Sequence, residues 1–233
     1  MEALMPFTTD QFLNVFEIYN RAVWPMQIVL VLLALWAVFL AIKSGPLSSK
    51  AVSLSLAFLW LWMGIAYHLI FFTGINKAAF IFGAAYLIQA AVFFFAGVVR
   101  MDMSHRARWD RNGIIGGFFI AYALIAYPAL GYLFGHTYPR SPTFGLPCPT
   151  TIFTFGVLLW ADRKVPLYVL WVPLIWSFIG FSAVLFLDIW EDAGLLVAGV
   201  GGTALILLRN RQSKRPERAS AKFLSFVNGP LLR

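Results

Sequence analysis

The chain contains seven apolar stretches without a single Asp, Glu, Lys or Arg, and these limit its possible folds more than any other feature. Roughly 20 apolar residues suffice for a helix to cross the hydrocarbon core of a bilayer. The composition fits the same class and not a soluble domain, because 61% of the residues are hydrophobic and only 12% are charged. We predict an all-α polytopic membrane helix bundle with seven transmembrane helices, with six as the alternative count. The stretches are residues 24–42, 51–72, 78–99, 113–134, 144–161, 165–187 and 193–208.

The basic residues predict how this bundle is oriented. All of the 18 Lys and Arg residues except Arg21, Lys77 and Arg140 fall on one side when the seven stretches run in alternating directions. Because the cytoplasmic loops of membrane proteins are rich in Lys and Arg, we expect the amino terminus outside and the carboxyl terminus in the cytoplasm. Topology and contact of the basic tail with anionic lipid explain the net charge of +8, and no nucleic-acid partner is expected.

The first residues precede the bundle and are predicted to form an amphipathic helix at the membrane interface. Thr8 or Thr9 can cap this helix. Phe12, Phe16 and Tyr19 then share one apolar face. The predicted organisation is an interfacial helix in residues 1–23, a membrane domain in residues 24–208 and a basic cytoplasmic tail in residues 209–233.

The fifth apolar stretch is predicted to be a broken helix. Pro147 and Pro149 flank Cys148, and because proline lacks an amide donor and disfavours helix in the residue before it, we expect the helix to begin near Pro149. From Pro149 to Trp160 is 12 residues, about 18 Å of helix, whereas a bilayer core is about 30 Å thick. The preceding chain must therefore enter the membrane unwound, which requires surrounding protein or water.

Polar residues near the predicted outer end of several stretches are candidates for a ligand site. Cys148 leads them because it lies at the amino end of a helix that starts inside the membrane, and such half-helix ends hold anionic groups of transported substrates. His68 is an ionisable group inside an apolar stretch, which makes it a functional candidate by default. The predicted ligand-binding residues are Cys148, Thr150, Thr151, His68, Asn76 and His136.

Three of these residues, Cys148, His68 and His136, are also candidate ligands of a transition metal. Imidazole and thiolate suit zinc or copper, although the spacing matches no closed structural metal site. Haem, held by axial histidines, is a lesser alternative. The sequence leaves the cofactor open.

The acidic residues exclude two functional classes. All of them lie outside the seven stretches, whereas proton and cation pumps carry carboxylates at the membrane midplane. Asp188, Glu191 and Asp192 are expected to form a solvated outer loop. Because the stretches also lack a lysine that could bind retinal, the sequence argues against ion pumping and against a retinal protein.

Four short motifs stand out: Met5-Pro6-Phe7-Thr8, Tyr19-Asn20 followed by Trp24-Pro25, the segment from His68 to Asn76, and Pro147 to Thr154. Together they resemble a family of small bacterial multi-pass membrane proteins known as a domain of unknown function. The resemblance covers the chain to about Leu208 and leaves the basic tail outside. It implies about seven helices and a location in the bacterial inner membrane, but no activity.

Three functions from different classes remain open. The favoured one is a membrane protein that binds or transports a small solute or metal ion through an outward-facing site at the broken helix near Cys148. The alternative is a non-catalytic accessory or assembly subunit of a larger membrane complex. The candidate protein partners are other subunits of such a complex or further copies of the same chain. An enzyme with Cys148 as nucleophile and His68 or His136 as base is the third, but the chain contains no known catalytic motif.

Overall fold

A computed structural model describes residues 6–212, and within that range the fold is all-α, as predicted. Met5 of the first motif and the tail residues 213–233 lie outside the described residues. Eight helices form a bundle in the described part of the chain. They are α1 (Thr9–Ala22), α2 (Met26–Lys43), α3 (Pro46–Gly74), α4 (Ala79–Val99), α5 (Arg111–Leu133), α6 (Pro147–Leu159), α7 (Leu167–Leu187) and α8 (Trp190–Gln212).

Six of these helices, all except α1 and α6, are long and apolar enough to cross a membrane. The predicted membrane helix bundle is therefore confirmed, with six full-length members among residues 6–212 and a 13-residue helix, α6, as the seventh. The last stretch is longer than predicted. Helix α8 starts with a 3-10 turn, Trp190–Asp192, and continues to Gln212.

The loops at one end of the bundle bring the basic segments together. The amide of Ala107 donates a hydrogen bond of 2.9 Å to the carbonyl of Ala41. The side chain of Asn210 and the backbone of Val165 exchange two hydrogen bonds. The amide of Arg106 donates to the carbonyl of Trp160 at 2.8 Å. Because these contacts bring the end of α2, the loop between α4 and α5, the end of α6 and the end of α8 together, successive members of the bundle run in opposite directions. We call this end, which comprises residues 41–50, 100–113, 160–165 and 209–212, the basic end.

Helix α6 occupies the centre of the bundle, and its residues from 149 to 159 are all buried. Its Gly156 lies against Gly116 of α5 so closely that a Cβ on either glycine would be 2.7 Å from the carbonyl oxygen of the other. Small residues allow such backbone contact between membrane helices. At the basic end, the indole of Trp160 donates to the carbonyl of Gly113 at 2.8 Å.

Helix α6 begins at Pro147, two residues earlier than predicted. The prediction was wrong because prolines in the first turn lose no helical hydrogen bond, since the first amides of a helix have no partner within it. Residues 134–146 are non-helical, and they include Phe144 to Leu146 of the chain that was predicted to be unwound, whereas Pro147 is helical. Phe144 and Leu146 are only 8% and 1% exposed, so protein encloses the last residues of this unwound chain before the helix starts.

Helix α1 is capped and docked on the bundle. The Thr8 hydroxyl accepts from the amide of Gln11, and the Gln11 side chain accepts from the amide of Thr8, which forms a capping box. Phe16 and Tyr19 are buried in an apolar cluster with residues of α3 and α7. The predicted apolar face thus packs on the bundle, at the end opposite the basic end.

Candidate functional site

A cavity of about 160 Å³ lies at this opposite end of the bundle, which we call the cavity end. The amino end of α6, helices α1, α3 and α7, and the start of α8 surround it. Its wall is mostly aromatic, and its polar side chains come from separate segments of the chain. The rings include Phe12, Phe16, Tyr67, Phe72, Phe82 and Trp176; the polar residues include Asn76, Cys148 and Asp192.

Buried Asn20 holds α1 over this cavity. Its Nδ2 donates to the carbonyls of Pro139 and Ser141, both at 2.8 Å. Its Oδ1 accepts from the hydroxyl of Thr143 at 2.8 Å. Because Asn20 is fully buried, these bonds join α1 to the unwound chain that precedes α6.

Asp192 and Cys148 meet in the cavity wall. Asp192 is 2% exposed, and its Oδ1 accepts a hydrogen bond from the Tyr127 hydroxyl. The Cys148 thiol lies beside the same carboxylate. The Cys148 sulfur and the Trp176 indole nitrogen each lie 3.3 Å from the position that a Cβ on Gly180 would take.

The expectation of a solvated acidic loop is wrong for two of its three residues. Asp188 is exposed, but Glu191 is fully buried and Asp192 nearly so. The 3-10 turn at the start of α8 carries both side chains into the protein. There, Glu191 Oε1 lies 2.9 Å from Nδ1 of His136, and its backbone carbonyl accepts from the Tyr122 hydroxyl at 2.8 Å.

Four of the predicted ligand-binding residues, Asn76, Cys148, Thr150 and Thr151, do not all lie in the cavity wall. Cys148 and Asn76 line the cavity. The hydroxyl of Thr150 instead accepts from the amide of Gly145 at 3.2 Å and so supports the unwound chain. Thr151 is fully buried on α6. Two of these four predicted residues therefore belong to the cavity wall.

The two predicted histidines have other neighbours than the Cys148 thiol. His68 is fully buried, with its ring centre 4.5 Å from that of Tyr86 and 5.0 Å from that of Trp176. His136 bonds to Glu191. In residues 6–212, no group of three or more His, Cys, Asp or Glu side chains is placed to hold a metal ion. The predicted metal site, which required Cys148, His68 and His136 together, is not formed there.

His105 is a buried residue to which the sequence assigned no role. It lies in the loop between α4 and α5 at the basic end and is 1% exposed. Its amide donates to the Ser49 hydroxyl at 3.0 Å, and its Nε2 lies 3.2 Å from the Ser53 hydroxyl. Burial lowers the pKa of His105 to about 4. The only sequence signal was its position in an arginine-rich loop, which points to exposure instead.

Six helices long and apolar enough to cross a membrane, packed around a short buried helix, place the chain in the class of multi-pass helical membrane proteins. Within that class, the chain belongs to a family described as a family of unknown function (DUF6064), whose model matches residues 9–217. This confirms the predicted resemblance to an uncharacterised family. The match begins after the motif at residues 5–8 and extends past Leu208 into the tail. No curated protein and no solved structure matches the chain.

Proposed function

We propose that this protein binds a small solute in the cavity at the amino end of α6, as a multi-pass protein of the bacterial inner membrane. The observation that carries the proposal is the convergence of Cys148 and Asp192, from different helices, on one aromatic cavity of about 160 Å³. Enclosed apolar pockets with a few converging polar groups are the usual form of a small-molecule site.

The distribution of charge supports access from the extracytoplasmic side. The contacts of the basic end gather the Lys- and Arg-rich loops on one face, and such loops normally face the cytoplasm. The cavity then lies near the outer surface, with α1 above it. A solute would enter beside α1 and meet the Cys148 thiol and the Asp192 carboxylate.

The arrangement supports binding better than catalysis by Cys148. The predicted enzyme needs a histidine as the base beside the thiol, but the polar neighbours of this thiol are a carboxylate and an indole. The ring of His68 is enclosed by aromatic side chains, and His136 bonds to Glu191. The proposal therefore names a bound solute, with transport of that solute as its extension.

Thiol labelling in intact cells tests the proposal, because the chain has one cysteine. A charged, membrane-impermeant methanethiosulfonate should modify Cys148 of the wild-type protein. Two matched variants in a Cys148→Ser background calibrate the assay. Asp188→Cys, at the cavity end, should react in intact cells, and Trp109→Cys, 95% exposed at the basic end, should react only after the membrane is opened.

Each component of the proposal can fail separately. Protection of Cys148 in cells whose Asp188→Cys variant reacts would contradict a site open to solutes from outside. Reaction of Trp109→Cys but not of Asp188→Cys would reverse the orientation. Protection of Cys148 together with constant co-purification of one large partner would support the accessory-subunit hypothesis instead.

A further inference from the structure

We infer that the ligand of this cavity is a small organic cation, a protonated amine with an apolar body, whose charge is neutralised by Asp192. The inference rests on the proposed function and specifies the chemical class of the solute. It is based on the charge of the cavity wall, on its aromatic rings and on its size.

The cavity wall contains a buried carboxylate that no cation pairs with among residues 6–212. Of these residues, the groups that face Asp192 are the Tyr127 hydroxyl, the Cys148 thiol and the neighbouring carboxyl of Glu191, and none is positively charged. The nearby His136 bonds to Glu191 instead. Because a buried carboxylate without a cation is unfavourable, a positively charged ligand would supply what the cavity lacks.

A second buried carboxylate oxygen lies in the same turn. Oε2 of Glu191 is buried and has no hydrogen-bond partner among the described residues, although Oε1 contacts His136. Two adjacent carboxyl groups, only one of which bonds to a histidine, give this part of the cavity end a negative potential. An anionic ligand would be repelled there, so the acidic pair favours a cation.

The aromatic wall suits an organic cation better than a metal ion. The faces of Tyr and Trp rings attract ammonium groups through their quadrupoles, and Tyr67 and Trp176 both line the cavity. A divalent metal ion would need several oxygen, nitrogen or sulfur ligands. The described residues provide no group of three such side chains.

The volume limits the ligand to about one ring. An apolar cavity of about 150 Å³ in another protein accommodates benzene, and this cavity measures about 160 Å³. Trp176 is 7% exposed, and its buried indole nitrogen has no hydrogen-bond partner among the described residues. It can donate to an acceptor atom on the ligand, beside the amine that Asp192 binds.

Three ring compounds of similar size but different charge test the inference. Isothermal titration of the full-length protein in nanodiscs at neutral pH would compare benzylamine, benzyl alcohol and benzoate. The wild-type protein should bind benzylamine at least about tenfold more tightly than benzyl alcohol, and benzoate most weakly. Asp192→Asn should bind benzylamine and benzyl alcohol equally. Asp188 is an exposed carboxylate four residues away, so Asp188→Asn should still bind benzylamine more tightly than benzyl alcohol.

The wild-type comparison stands even if Asp192→Asn does not fold. Equal affinity for benzylamine and benzyl alcohol would overturn the cationic ligand while leaving a solute-binding cavity intact. Tighter binding of benzoate would overturn it as well. Absence of binding by all three compounds would also refute the inference, and labelling of Cys148 would then decide separately whether the cavity is open.

Discussion

Replacement of Asn20 by alanine should release α1 from the unwound chain that precedes α6. The change removes three hydrogen bonds of 2.8 Å, to Pro139, Ser141 and Thr143. At about 1 kcal/mol for each buried hydrogen bond, the free energy of unfolding should fall by about 3 kcal/mol. For a chain of this size, each kcal/mol corresponds to about 2–4 °C, so the melting temperature should fall by roughly 6–12 °C.

Asn14 provides a matched control for Asn20 on the same helix. It is exposed, so Asn14→Ala should change the free energy of unfolding by less than about 0.5 kcal/mol. Thermal unfolding of both variants in nanodiscs, followed by near-ultraviolet circular dichroism, measures the difference. Because Asn20 also fixes α1 above the cavity, Cys148 should react faster with the impermeant thiol reagent in Asn20→Ala than in Asn14→Ala.

Equal melting temperatures for the two variants would refute the reasoning about Asn20. The buried asparagine would then contribute no more than an exposed one, and α1 would be held by its apolar face alone. A lower melting temperature without faster labelling would support the hydrogen bonds but contradict the role of α1 as the cover of the cavity.

Three further predictions concern the centre and the basic end of the bundle. Gly156→Ala should destabilise the protein by about 1–3 kcal/mol, because the added methyl group meets a backbone carbonyl of α5. A methyl group at Gly201 would meet nothing within 4 Å, so Gly201→Ala should stabilise the protein by up to about 1 kcal/mol. Burial lowers the pKa of His105 from 6.5 to about 4. As the pH falls from about 6.5 to about 4, the unfolded chain therefore binds a proton at this histidine before the folded protein does. The free energy of unfolding should fall by about 3 kcal/mol over this pH range. Arg209→Met should lower the free energy of unfolding by about 2 kcal/mol, because it removes hydrogen bonds of 3.1 and 2.7 Å to two carbonyls at the end of α6. Arg211 is exposed, so Arg211→Met should lower it much less.

Thermal unfolding measures all three. Equal stability of the two glycine variants would show that α5 and α6 are not in backbone contact. An unchanged pH profile in His105→Gln would assign the acid instability to other groups. Equal losses in the two arginine variants would attribute the effect to net charge and not to the end of α6.

The sequence by itself determined the architecture and several local features. Seven uncharged apolar stretches specify a membrane helix bundle, because such segments are more stable in the bilayer than in water and a helix satisfies their backbone hydrogen bonds there. The cap at Thr8 and the non-helical chain before α6 also follow from local rules, since a hydroxyl at a helix start and a proline pair act on their immediate neighbours. The start of α6 was predicted two residues late because the first turn of a helix tolerates proline.

Only the tertiary structure decided which polar groups share the cavity. Glu191 and Asp192 looked like a solvated loop, yet a single 3-10 turn directs both inward, where Tyr127 and His136 from elsewhere in the chain meet them. His68 has its ring among aromatic side chains, although its place inside an apolar stretch made it a functional candidate by default. Hydrophobic patterns report whether a segment is buried, but the direction of each side chain depends on contacts with segments far away in sequence.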